Sequence, residues 1–171
     1  MKKQKKEKNL STLVLFKPKA LKNHGSSMML EGLLRPSFFF GYEIAELKKL
    51  KMTRAQAEEF YAEHRGKPFY QKLVNFMSSN YIVAIRIEYP VDEPDFIERF
   101  RKFVIGATDP NKAMRGTMRQ LFGAKKEYAE GLPSNGVHAS DSRESAAREL
   151  SFFFTDFVAW TWGFCPFFSF F

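Results

Sequence analysis

The segment Tyr81 to Tyr89 constrains the fold most, because it reads as the clearest strand of the chain. Ile82, Ala84, Ile85 and Ile87 make it apolar and β-rich, while Arg86 and Glu88 mark an exposed face. A strand in mid-chain needs partners, and Thr12 to Phe16 reads as one, ending at Lys17-Pro18. Tyr42 to Met52 shows partial alternation through Ile44, Leu47, Leu50 and Met52 and supplies another. Helices fall between these strands. Thr53 with Gln56 forms a capping-box pattern that opens a helix through about His64. Tyr70, Leu73, Val74 and Met77 recur at helical spacing in the next piece. Asp92 and Glu93 before Pro94 begin a further helix, with Phe96, Phe100, Phe103 and Val104 as its buried stripe and Gly106 as its end. Ala107 to Ser134 lacks clear periodicity and reads as one long loop with short local structure, a length usually tied to function. Asn135 to Ala139 is a short strand, and Ser142 to about Phe154 a final helix. This order predicts a four-stranded antiparallel sheet with helices on one face, the split βαβ arrangement.

At 171 residues the chain suits one domain, and its 44% apolar and 27% charged content marks it as globular. The formal charge of +8 is uneven. Lys2, Lys3, Lys5, Lys6 and Lys8 stand against Glu7 alone, so residues 1–10 are expected to form a solvated, disordered arm. The domain proper is expected over 11–155; its mildly basic body suits a polyphosphate ligand. The lone Cys165 rules out an internal disulfide and fits a reducing, cytoplasmic compartment. The run Leu13-Val14-Leu15-Phe16 is too brief for a secretory h-region. Residues 156–171 form an apolar tail of unknown role. Its uncharged stretch Phe157 to Phe171 falls short of the roughly 20 apolar residues a membrane-spanning helix needs. Such a tail is expected to bury against a neighbouring subunit or to promote association.

The most chemical stretch is Asn135-Gly136-Val137-His138-Ala139-Ser140-Asp141-Ser142. It sets one histidine directly before a helix start, where unpaired N–H groups and a partial positive charge suit an anion. A neutral imidazole there is a competent nucleophile toward phosphate near pH 7. His24 and His64, without such neighbours, read as ordinary core or surface residues. The pattern N-x-V-H-A-S-D-S closely resembles the active-site signature of nucleoside diphosphate kinases, and the likeness extends over roughly Leu13 to Phe154.

That resemblance implies an α+β fold (an α/β sandwich) with a ferredoxin-like four-stranded antiparallel sheet and helices packed on it. It implies transfer of a γ-phosphate from a nucleoside triphosphate to a nucleoside diphosphate, ping-pong, through a phosphohistidine at His138. Glu149 matches the glutamate that orients the imidazole, and Ser140 the serine supporting it. Lys17 matches a lysine on the γ-phosphate, and Tyr61 a tyrosine near the histidine. Arg119 matches the arginine clamping phosphate oxygens, Thr108 a β-phosphate contact, Phe69 the ring stacked on the base, and Asn135 a ribose contact. Lys102 stands where the family usually has arginine, keeping the charge and losing the bidentate fork. Mg²⁺ is implied as cofactor, carried by the nucleotide with no metal ligand from the protein. ATP and other nucleoside tri- and diphosphates are the implied partners, with a tetrameric or hexameric homo-oligomer. No nucleic acid is required and no membrane span is expected.

Several positions depart from the family pattern. Lys19 replaces an aspartate, Arg115 a proline, and Gln120-Leu121 a Gly-Asp pair. The segment between Arg119 and Asn135 is longer than usual. Gly25 to Gly41 should hold an amphipathic first helix but matches it poorly, and Pro36 is expected to break it. Abrupt losses of pattern there and in 157–171 are what local reading-frame errors would produce. The alternative reading is a catalytically weak nucleotide-binding or interaction protein of the same fold. Retention of Lys17, Tyr61, Arg119, Asn135, His138 and Glu149 together argues against it. A nucleic-acid module, suggested by the lysines and aromatics, lacks a recognition motif.

Overall fold

Every residue from Leu13 to Phe16 is fully buried, and the alternation of that strand sorts the core into two halves. The computed structural model describes residues 10–91, 93–123 and 135–154. The lysine-rich arm to residue 9, Asp92, the tail from residue 155 and Cys165 lie outside the described residues, as do the boundaries assigned to the two terminal segments. Strand β1 (Leu10–Phe16) pairs antiparallel with β3 (Ile82–Tyr89) on one side and β4 (Val137–Ala139) on the other. Strand β2 (Glu43–Leu50) pairs with β3, giving the order β2-β3-β1-β4 in a four-stranded sheet. Antiparallel pairing throughout and this order are the ferredoxin-like arrangement expected.

Helices cover both faces of the sheet, where one covered face was expected. Leu13 and Leu15 pack with Ala84 against α3 (Arg54–Phe60), α4 (Tyr70–Ser78) and the inner side of α7 (Arg143–Phe153). Val14 and Phe16 pack with Val83, Ile85 and Ile87 against α1 (Pro18–His24), α2 (Ser26–Phe40), α5 (Phe96–Phe100) and α6 (Met118–Phe122). The unbroken apolar run of β1 carried that information, since a strand covered on both faces has no polar alternation.

Local signals set most element ends. Thr53 caps α3 with a reciprocal box, its hydroxyl accepting from the Gln56 N–H while the Gln56 side chain accepts from the Thr53 N–H. Ser142 and Ser145 form the equivalent box at α7. Helix α1 is a departure: Pro18 takes its first turn, so the chain turns helical where only a strand end was expected.

Helix α2 is the larger departure. It runs 15 residues with Pro36 inside it, although that proline lacks the N–H that would reach Gly32. Met29 and Leu33 are fully buried, and the Tyr42 hydroxyl donates to the Leu33 carbonyl at 2.5 Å. Gly32 lies so close to α6 that a Cβ there would stand 2.8 Å from the Phe122 ring. Burying one such apolar side chain contributes about 1.5–3 kcal/mol, so the two together match the roughly 3 kcal/mol that an internal proline costs.

After Phe100 the chain widens into a single π turn, Arg101–Ile105, closed by the Gly106 N–H on the Arg101 carbonyl at 2.8 Å. The turn carries Phe103 off the expected buried stripe, leaving it 42% exposed, while Phe96, Phe100 and Val104 are buried. Gly106 has φ +91°, and a Cβ there would collide with Thr117.

Candidate active site

The register of β1 and β4 assembles the site. Leu15 faces His138 across the pair, and one step on the Lys17 N–H donates to the Gly136 carbonyl at 2.9 Å. This sets Lys17 beside Asn135, and its ammonium donates to Asn135 Oδ1 at 2.6 Å. Gly136 holds φ +59° there, and a Cβ would strike the Phe122 carbonyl.

Across the strand end, α7 presents Glu149 to His138. Nε2 of His138 lies 2.9 Å from Glu149 Oε2, and the Ser140 hydroxyl donates to the same oxygen at 2.7 Å. The Ser140 hydroxyl in turn accepts from the Leu13 N–H at 3.3 Å, so the carboxylate is braced from the middle of the sheet. Glu149 and Ser140 are buried, while His138 keeps 21% of its side chain exposed. A carboxylate accepts only, so the proton of this bond sits on Nε2 and the lone pair on Nδ1. Phe60 at 5.5 Å and Tyr61 at 6.3 Å stand edge-on to the imidazole ring.

Cations gather on the other side of β4. Arg119 is buried, its Nε donating to the Val137 carbonyl at 3.1 Å and its Nη1 to the Gly106 carbonyl at 3.0 Å. Burial, then the nearby Arg101 charge, pushes its guanidinium down to about 10. Burial, then Arg119, pushes the Lys17 ammonium down to about 7. Asp141 is held below the usual carboxylate range, first by its hydrogen bond with Ser145 and then, against some burial, by Arg101. A cavity of about 480 Å³ opens here, lined by Arg101, Lys102, Thr108, Lys112, Arg119 and Asp141 among others. Cations buried and crowded in this way favour an anion among them.

The expected residues therefore fall into three groups. Glu149, braced by Ser140, and Tyr61 stand at the His138 imidazole; Lys102, Thr108 and Arg119 line the cavity; Lys17 pairs with Asn135 and feels the Arg119 charge. Tyr61 is buried, and among the described residues its hydroxyl has no hydrogen-bond partner. Burial, then Glu149 and Glu63, raises its phenol, so it stays protonated with a hydrogen bond to give. Phe69 packs against the cluster that holds Tyr61 and also meets His64, which the sequence placed among ordinary histidines. His64 stacks on Tyr61 at 6.1 Å and meets Phe69 edge-on at 5.6 Å, with Lys67 Nζ 3.2 Å from its Nδ1. Its three-residue spacing from Tyr61 was the available signal. His24 packs edge-on against Phe122 at 5.3 Å, away from this chemistry, as expected. Arg101 was also missed, for the reason the π turn supplies.

Known proteins resemble the chain over most of its length. A family model described as nucleoside diphosphate kinase matches residues 10–158. A nucleoside diphosphate kinase of Sorangium cellulosum (strain So ce56) is 38% identical over 146 residues, 85% of this chain and 91% of that one. One from Persephonella marina (strain DSM 14350 / EX-H1) is 39% identical over 144 residues, 84% of this chain and 92% of its own. The solved structure of the Aquifex aeolicus nucleoside diphosphate kinase, in an orthorhombic crystal form, superposes with a TM-score of 0.71 at 35% identity. That match covers 86% of this chain and 96% of the other.

Proposed function

The chain belongs to the nucleoside diphosphate kinase family, and we propose that His138 carries the phosphoryl group in its reaction. The activity moves the γ-phosphate of a nucleoside triphosphate to a nucleoside diphosphate. The observation that carries the residue assignment is the shared Glu149 oxygen, which takes Nε2 of His138 and the Ser140 hydroxyl at once.

In the first half-reaction Nδ1 of His138 attacks the γ-phosphorus. The Nδ1–P bond forms, the bond from phosphorus to the β,γ-bridging oxygen breaks, and that oxygen leaves with the nucleoside diphosphate. Positive charge appears on the imidazole, and Glu149 stabilises it through the Nε2–H bond while holding the ring in place. In the second half-reaction a terminal oxygen of another nucleoside diphosphate attacks the same phosphorus, and Nδ1 regains its lone pair. Proton transfer is not required in either step. The remaining work is alignment and charge neutralisation, the larger part of phosphoryl-transfer catalysis. Lys17 and Arg119 take the transferring oxygens, Tyr61 donates its free O–H nearby, Thr108 and Lys102 meet the β-phosphate, Asn135 the ribose, and Phe69 the base.

The family works with divalent cations. Among the described residues no group of three or more His, Cys, Asp or Glu could hold a metal, and the carboxylates at the cavity are Asp141 and Glu98. That donor set fits Mg²⁺ arriving on the nucleotide and keeping much of its water, where it neutralises phosphate charge. A homo-oligomer, tetramer or hexamer, is supported by the exposed apolar residues of α2. Among the described residues no helix is long and apolar enough to cross a membrane. The lone Cys165 supports a reducing, cytoplasmic setting.

Brief exposure to γ-labelled ATP should leave an acid-labile, alkali-stable label on the protein. His138→Ala should abolish the label and turnover while Mg-ADP still binds. Near-parent phosphate exchange by that variant would show that the nucleophile lies elsewhere.

A further inference from the structure

We propose that Arg101 is a phosphate-binding residue of this site, offering the diphosphate of the nucleotide the guanidinium fork that position 102 lacks. The proposal rests on the reading of the site as a phosphotransfer centre and names a cation that the motif does not contain.

The π turn is the physical origin. An α-turn closes from residue i to i+4, whereas a π turn closes from i to i+5 and so places one more residue in the same loop of chain. The resemblance puts Lys102, six residues before Thr108, where the family usually has arginine. In the structure Lys102 lies exposed, its ammonium 5.2 Å from the centre of the exposed Phe103 ring. Arg101 instead lies half-buried and reaches over the cavity, donating through Nη1 to the Ala139 carbonyl at 2.5 Å. Ala139 follows His138 directly, so this bond seats the guanidinium one residue from the nucleophile.

Arg101 is also the cation that the cavity's other charges feel. It lowers both Arg119 and Asp141, and these two side chains line the same space with it. Among the described residues the bond to Ala139 is the hydrogen bond its guanidinium makes, which leaves further N–H donors of the fork for a ligand. A planar guanidinium binds two phosphate oxygens in parallel, while an ammonium at the rim offers a mobile point charge. The ligand class that fits is a nucleoside diphosphate, or the corresponding end of a triphosphate.

The test compares ADP with AMP. Equilibrium binding of Mg-ADP and of AMP would be measured calorimetrically for the parent, Arg101→Gln, Arg101→Lys and Lys102→Gln. Losing a hydrogen bond to a charged group costs roughly 10- to 100-fold in affinity. Arg101→Gln should weaken ADP by that factor and leave AMP within about twofold of the parent, a split that damage to the β4 end would not produce. Arg101→Lys keeps charge and reach but not the fork, and should fall between parent and Arg101→Gln. Lys102→Gln should lose less ADP affinity than Arg101→Gln. The proposal is overturned if ADP and AMP weaken together, if ADP binding is unchanged, or if Lys102→Gln is the larger loss. Labelling of the parent by γ-labelled ATP is read separately. Its failure alongside a selective ADP loss would strike the phosphohistidine and leave Arg101 standing.

Discussion

Lys17 shows how burial tunes a single residue for its ligand. Burial and then Arg119 hold its ammonium near 7, against an ordinary value of 10.5. In the ligand-free protein the unfolded chain therefore binds a proton between about 7 and 10.5 that the folded chain does not, so this group's contribution to stability rises with pH across that window. An arriving polyphosphate favours the charged form and moves the group upward. Nucleotide binding should accordingly take up close to one proton at pH 8, and affinity should fall as pH climbs through about 7. Titration calorimetry in two buffers of different ionisation enthalpy measures that uptake, and Lys17→Arg should remove it. Arg119 is a different case, because its two backbone hydrogen bonds fix it in advance of the substrate. Arg119→Ala should lower kcat/KM by roughly 10²–10³-fold, the usual loss when a preorganised donor to the reacting group is removed. Steady-state exchange between ATP and a second nucleoside diphosphate would show it, and a loss below tenfold would contradict the role.

Among the elements, α7 couples stability to chemistry. Its start is held by the Ser142–Ser145 box, and its second turn delivers Glu149 to the histidine. Ser142→Ala should cost about 1 kcal/mol, a fall in Tm of about 2–4 °C for a chain of this size, with phosphoenzyme formation slowed as Glu149 loosens. An unchanged Tm by calorimetry would mean that the box contributes nothing. Helix α2 carries the opposite lesson. Its proline is tolerated because the burial of Met29 and Leu33 in the turns before Pro36 offsets a local penalty. The π turn after α5 belongs to the same class, since nothing local in Arg101 to Ile105 distinguishes it from a helix end.

For the whole molecule, the surface of α2 stands out. Phe38 and Phe39 are 90% and 89% exposed, with Leu34 and Met28 also open on the same helix. The sheet ends nearby at β2, whose Leu47 is exposed as well. Large apolar side chains left this exposed favour association. Replacing Phe38 and Phe39 together by serine should shift sedimentation velocity toward smaller species and leave the His138 label intact. No change in sedimentation would exclude this face from assembly.

Short-range patterns were enough for much of this protein. The alternation of Ile82 to Tyr89, the boxes at Thr53 and Ser142, and the run from Asn135 to Ser142 are each settled within a few residues, and each marked its element or its chemistry. The strand order could be inferred because antiparallel pairing and short connections leave few alternatives. Other features depend on partners far along the chain. The cover on both sheet faces comes from α3, α4 and α7 meeting Leu13 and Leu15; the unbroken α2 comes from Leu33 meeting Tyr42, and Gly32 meeting Phe122. The place of His64 comes from Tyr61 and Phe69 closing around it, and the aim of Arg101 from a carbonyl on β4. Backbone preferences differ by about 1 kcal/mol or less per ordinary residue, whereas burying one large side chain contributes more than that. Where the two disagree, as in the turn after Phe100, long-range packing decides; at Pro36, where the local cost is roughly 3 kcal/mol, it takes two buried side chains to do so.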